Sequence, residues 1–253
     1  MENEKDQVQE DNTEEKKFLK ISKIRSFSNA FNLKLKENDI IVAVNGEIFN
    51  STYEDLRKIL EEDNDKIITI FRDGITFNIR PNGSLGITCE QESEDKILDF
   101  KNIKINEIFN NKKKFFNFEI YKNLKRKGIV LDLTPSILPS LAPPLWMIYQ
   151  RMWPLLGFTL IFQFILFYVS PWLFFISWVL KSWYYGYNQI NILRNYYRFL
   201  DYRLWMCLSS ENEEESQKKS RELDPKIVFD FSYVGPPALD DDETTDQDQV
   251  VKA

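Results

Sequence analysis

Few residues in this chain are equipped for chemistry. The 253 residues include no histidine, which removes a Ser–His–Asp triad, a Cys–His dyad and any His-ligated zinc site. The two cysteines, Cys89 and Cys207, lie far apart and lack metal-ligand spacing. Isolated thiols fit a reducing compartment better than a disulfide scaffold. A Ser–Lys dyad would need only residue types that are present, yet no serine stands in a recognisable catalytic turn beside a lysine. Asp132, between Leu131 and Leu133, is the one carboxylate near an apolar stretch ahead of a long uncharged run. A paired aspartyl site inside that run would need two carboxylates there, and it has none. No phosphate loop or dinucleotide fingerprint occurs. No catalytic residue, metal or cofactor is therefore expected. The chemistry that remains is recognition. Ser84-Leu85-Gly86-Ile87 sets a glycine between apolar residues. A glycine lets backbone N–H groups converge on an anion, and a strand following it offers an edge to which a peptide could add. A plain β-turn with Gly86 at positive φ competes with that reading.

The elements that would position this loop form a small α+β domain over residues 17–90. Phe18, Ile21 and Ile24 suggest a first strand. Residues 39–44 are a β-branched run that stops at Asn45-Gly46, a hairpin signal, and Ile48-Phe49 resumes a short strand. Asn50, Ser51 and Thr52 are N-cap candidates, Glu54 and Asp55 occupy a first turn, and Tyr53, Leu56, Ile59 and Leu60 recur at helical spacing. The strands 66–72 and 75–80 flank Asp73-Gly74. Ser84–Glu90 follows as a last extended piece.

This order, with its LKENDIIVAVNGEIF segment and its later RDG turn, resembles a bacterial PDZ domain. Asp39, Asn45, Gly46, Leu56, Arg72 and Gly74 fall at that family's offsets. Asn38-Asp39 stands where the family prefers Gly-Asp, and the Gly-Ser-Pro-Ala segment is replaced by Ser26–Phe31. The position of Ser84–Ile87 after the last hairpin is similar to the circularly permuted domains of membrane and periplasmic proteases. The resemblance implies a peptide groove lined by Ser84, Leu85, Gly86 and Ile87 on one wall and by Thr52, Leu56 and Leu60 on the other.

The second organising feature is Leu155–Leu180, which carries no charge. About 20 apolar residues span a bilayer core, so an all-α membrane region is expected over 144–207. Two topologies compete. A single span would use 155–180 with a bend at Pro171. A hairpin would use about 145–169 and 171–190 and reverse at Ser170-Pro171. Lys122, Lys125, Arg126, Lys127 and Arg151 precede the run; Lys181, Arg194, Arg198 and Arg203 follow it. Positive charge at both ends favours both flanks on the cytoplasmic side. Trp146, Trp153, Trp172, Trp178, Trp183 and Tyr184 are interface-anchor candidates. Residues 188–206 read as a basic amphipathic helix, with Arg194 and Arg198 available to lipid headgroups. Residues 91–143 read as a basic, aromatic connector. The acidic termini, 1–16 and 208–253, read as disordered.

A net charge of −6 argues against nucleic acid as a partner. The expectation is a membrane-anchored, non-catalytic PDZ-like adaptor. It would bind a peptide terminus or segment of a partner protein at a bacterial inner membrane, with the PDZ-like domain cytoplasmic. An accessory subunit of a membrane complex is the alternative, with a cryptic or regulatory membrane-protease role behind it.

Overall fold

β-Branched runs separated by Asn-Gly and Asp-Gly turns build the first part of the fold. The computed structural model describes residues 17–62, 66–93 and 115–238 and divides at Lys112 into two units. The first contains β1 (Lys17–Ile24), α1 (Asn29–Asn32), β2 (Ile40–Val44), β3 (Glu47–Ile48), α2 (Tyr53–Glu62), β4 (Ile68–Arg72), β5 (Ile75–Ile79) and β6 (Ile87–Ser93). Its strands lie in the order β5-β4-β2-β1-β6, with β3 on β2, and each neighbouring pair is antiparallel. Asn45 and Gly46 (φ 53° and 84°), and Asp73 and Gly74 (φ 50° and 82°), take the left-handed pairs that tight hairpins require. Thr52 caps α2: its hydroxyl accepts from the Asp55 amide and donates to the Asp55 carboxylate. The core gathers Phe18, Ile21, Ile41, Val42, Leu56, Ile68, Ile70 and Ile79, all buried. Asp39, itself buried, receives Arg72 Nε at 2.7 Å and Nη2 at 2.6 Å.

The second unit corrects the expected all-α membrane region. Residues 113 onward fold as α+β, and among the described residues no helix is long and apolar enough to cross a membrane. The elements are β7 (Phe116–Lys122), β8 (Lys127–Asp132), α3 (Leu138–Leu141), α4 (Pro143–Tyr149), α5 (Trp153–Val169), α6 (Pro171–Phe199), β9 (Arg203–Ser210), α7 (Glu213–Leu223) and β10 (Val228–Phe229). The strands run β10-β8-β7-β9, antiparallel except for the parallel β10–β8 pair. Of the two competing topologies the single span does not form, because Pro171 divides the uncharged run. Ser170 is extended, Pro171 opens α6, and the chain reverses. α5 has 17 residues, or about 25 Å, short of the roughly 30 Å of a bilayer core. α6 is long, but its apolar half stops at Lys181.

Other segments also differ from their sequence readings. Much of the connector is the β7–β8 hairpin, with its basic residues at the turn. The amphipathic helix stops at Phe199, where Asp201 turns left-handed (φ 61°) and the Tyr202 amide returns to the Tyr197 carbonyl at 2.9 Å. Residues 203–210 then form β9. Past 208, Asn212 caps α7 by accepting from the Glu215 amide, and Glu213, Glu214 and Glu215 occupy its first turn, where the helix dipole favours carboxylates. Residues 1–16 and 239–253, read as disordered, and 94–114 of the connector lie outside the described residues.

Candidate functional site

In the first unit the expected groove residues are mostly interior. Leu56, Leu60, Leu85 and Ile87 are buried, while Ser84 and Thr52 are exposed. Gly86 has φ +68°, and a Cβ placed there would lie 2.7 Å from Ser28 Cβ. Only glycine suits that approach. The carbonyls of this loop are committed: Gly86 accepts from the Arg25 amide at 3.1 Å and Leu85 from the Ala30 amide at 3.0 Å. Asn29 Nδ2 bridges the carbonyls of Asn82 and Ser84.

The strand after the loop has a free edge. Among the described residues β6 pairs with β1 and with no strand on its other side. Which β6 groups face outward follows from the ladder. The Ile21 amide donates to the Asp39 carbonyl, and the Ile21 carbonyl accepts from the Asn38 amide. Ile21 therefore directs both groups away from Cys89, its partner in β6. Cys89 is in a non-hydrogen-bonded pair, so its own N–H and C=O point to the open side. The Arg25-to-Gly86 bond places Ile24 and Ile87 in the same class of pair. Ile87 and Cys89 thus present alternate main-chain groups, the pattern to which an added strand pairs. Burial pushes the Cys89 thiol up to about 12, so the sulfur beside that edge is protonated and a poor nucleophile.

In the second unit the site is the α5–α6 hairpin. Its base is fixed to the rest of the unit. Trp146, Met147, Met152, Leu156, Leu193 and Tyr197 pack in one core with Tyr121. Arg194 grips the buried Glu119 with Nη2 at 2.6 Å and Nε at 3.0 Å, and the Tyr121 hydroxyl donates to the same carboxylate. Gln189 bonds both the amide of Ser136 and its carbonyl. Gly186 lies against Ser140 so closely that a Cβ there would meet Ser140 Cβ at 3.0 Å.

Beyond that base the hairpin stands bare. No residue from Phe164 to Asn188 is buried. Phe164 is 71% exposed, Trp172 78% and Tyr168 87%. Two polar residues of α5 are nevertheless covered: Thr159 and Gln163 are each 5% exposed. Gln163 Nε2 donates to the Phe174 carbonyl, while its Oε1 accepts from Lys181 Nζ at 2.9 Å and from the Ser177 hydroxyl. Lys181 Nζ also lies 4.4 Å from the centre of the Phe162 ring. Desolvation pushes the Lys181 ammonium below the usual lysine value.

Of the anchor candidates, Trp153, Trp172, Trp183 and Tyr184 are exposed, and Trp178 is half-buried, stacked on Phe174. Trp146 is fully buried against Tyr185 and belongs to the core. Arg194 is held by Glu119, whereas Arg198 is exposed. Gln163 and the role of Lys181 were not legible in advance. The available signal was one amide on one side of Pro171 and one ammonium on the other. Compared with known proteins, the chain matches no family model and no curated sequence. The comparisons thus lend no support to bacterial origin or to kinship with PDZ domains.

Proposed function

We propose that this chain is a non-catalytic, membrane-surface adaptor: the α5–α6 hairpin enters one leaflet, and the β6 edge takes an extended peptide of a partner protein. One observation carries the lipid half. The distal hairpin covers the polar Thr159 and Gln163 while Phe158, Ile161, Phe164, Ile165 and Phe175 are exposed. Burying amides while exposing phenylalanines is unfavourable in water and favourable when the surrounding solvent is hydrocarbon. The depth is also consistent. Lys181, the first charge after the tip, lies ten residues beyond Pro171, about 15 Å along a helix, which equals half of a roughly 30 Å core. Trp183 and Tyr184 follow at the level where aromatic rings favour the interface. The hairpin enters and returns on the same face.

The peptide half is supported by the outward main chain of Ile87 and Cys89. Affinity comes from strand addition to β6. The buried state of Leu56 and Leu60 leaves specificity to the exposed rim.

Two assays test this. The full chain should float with phosphatidylcholine vesicles, and brominated acyl chains should quench its tryptophans. Recovery in the unbound fraction at every lipid concentration would end the lipid half. For the peptide half, a display library with free C-termini and internal segments should yield binders that Cys89→Pro loses, because proline removes an outward N–H without touching the β1 ladder. Binders that survive a correctly folded Cys89→Pro would exclude the β6 edge.

A further inference from the structure

From Leu133 to Leu193 the chain carries two charges, Arg151 and Lys181. Charged residues make up 28% of the whole sequence, so the scarcity is local and marks a surface built for something other than water. The hairpin occupies the second part of this stretch. The first part is α3 and α4, and residues 133–150 contain no charge at all. Ile137, Leu141, Leu145 and Ile148 recur there every three or four residues and are exposed, Ile137 at 82% and Leu141 at 74%. Pro139, Trp146 and Met147 hold the element to the core. Arg151 stacks over the Phe231 ring at 3.7 Å, which leaves α3 and α4 without a cation.

Contacts fix the height of this element along α6. Ser136 bonds Gln189, Ser140 lies against Gly186, Trp146 packs on Tyr185, and Pro143 and Pro144 border a small cleft with Trp178 and Lys181. α3 and the start of α4 therefore run beside the stretch of α6 from Gln189 to Lys181, about 12 Å of helix, level with Trp183 and Tyr184. The backbone narrows the depth further. α3 has four residues, Ala142 parts it from α4 in a non-helical conformation (φ −141°, ψ 78°), and neither helix has a side-chain cap at its N-terminus. Open amides of this kind must meet water or headgroups, because hydrocarbon offers them no partner.

We infer that α3 and α4 form a ledge that lies in the boundary between headgroups and acyl chains, a second lipid contact at the foot of the inserted hairpin. This rests on the hairpin entering a leaflet, and it adds to that reading what stops the hairpin at its depth. Apolar side chains on a backbone with open polar groups suit that boundary and neither of its neighbours: water disfavours the leucines, and hydrocarbon disfavours the amides. The partner is the bilayer surface, read through apolar burial. With no cation on the ledge, the contact needs neither anionic lipid nor low salt.

The test floats the full chain with phosphatidylcholine vesicles. Leu141→Lys and Leu145→Lys should each lower partitioning roughly five- to tenfold, less than Phe164→Lys does, because the ledge is shallower than the hairpin tip. Leu141→Met should bind like the natural sequence, and raising salt from about 50 to about 500 mM should leave partitioning unchanged. Both leucines are exposed, so the thermal midpoints should stay at the natural value. Hydrogen exchange on the natural protein gives a second reading: the amides of 137–149 should slow when vesicles are added. If both lysine variants float as the natural sequence does while Phe164→Lys is lost, or if exchange over 137–149 ignores the vesicles, the ledge is overturned and leaflet insertion stands. If Phe164→Lys also floats undiminished, both fall. Partitioning that disappears at high salt would assign the contact to basic residues elsewhere and overturn the ledge.

Discussion

Phe164→Lys separates insertion from folding. Phe164 lies on the outer side of α5, 71% exposed, about 8 Å along the helix from its end at Val169. Its ring contributes little to packing within the protein, so an exposed polar substitution there should change folding stability by no more than about 0.5 kcal/mol. In a leaflet the same position is deep. Exchanging an aromatic for an ammonium costs about 3 kcal/mol at the centre of a bilayer and less nearer the surface, so about 2–3 kcal/mol applies here. Partitioning into phosphatidylcholine vesicles should fall between roughly 30-fold and 150-fold. Flotation across a lipid series measures this, and urea unfolding of the same variant measures stability. Leu124→Lys is the control, since Leu124 is 93% exposed at the β7–β8 turn, outside the hairpin; in neutral vesicles it should change nothing. Undiminished partitioning of Phe164→Lys, or an equal loss from Leu124→Lys, would refute leaflet insertion by the hairpin.

Asp39→Ala should destabilise the first unit by about 3–5 kcal/mol, because it leaves the Arg72 guanidinium buried without its carboxylate; a urea midpoint within error of the natural protein would contradict this. The double change Asp39→Ala with Arg72→Met should cost less than Asp39→Ala alone, which a double-mutant cycle reads directly. Gly186→Val should cost about 1–3 kcal/mol by overpacking against Ser140, and Ser140→Gly should recover part of that loss in a thermal melt. Stability should also decline in alkali. Burial raises Cys89 from 9.0 and Tyr197 from 10.0 to about 12 each. The folded state thus holds protons that the unfolded chain releases. The associated stability is complete below about 9 and disappears as pH rises toward 12. Denaturant midpoints across that window test it: Tyr197→Phe should flatten the slope, and a flat profile in the natural protein would contradict the assignment.

The first unit was legible because each reversal carried its own chemistry. Asn45-Gly46 and Asp73-Gly74 mark tight hairpins in any context, and Thr52 with Asp55 marks a helix start. The second unit hid its strands for physical reasons. The β7–β8 turn is made without glycine: Arg126 takes φ 57°, and Asn123 Oδ1 accepts from the Lys127 amide. Its cluster of lysines and arginine therefore resembled a basic connector. The helical stripe through Ile190, Leu193 and Tyr197 continued numerically to Leu204, but the chain had already left the helix at Asp201. Acidity after Ser210 suggested disorder, although three successive glutamates behind Asn212 are also what a helix N-terminus stabilises. The loop and the helix named for the groove both form, yet the burial of their apolar residues could not be read from spacing. An apolar residue facing a peptide and one facing a core look alike in sequence.

The hairpin holds the residue-level difference between a span and a reversal. Hydropathy alone treats Leu155–Leu180 as one object, because apolar length is what it sums. In a continuous helix Gln163 and Lys181 would lie about 27 Å apart, each a solitary polar group in hydrocarbon, and each costly. Folding back at Ser170-Pro171 brings them to 2.9 Å and adds Ser177 and the Phe174 carbonyl to the same cluster. Gln163 lies eight residues before Pro171 and Lys181 ten after it, so that reversal lets them satisfy one another. Spacing of lone polar residues about a central proline, and not the length of the apolar run, is therefore what distinguishes a reversal from one continuous helix in this sequence.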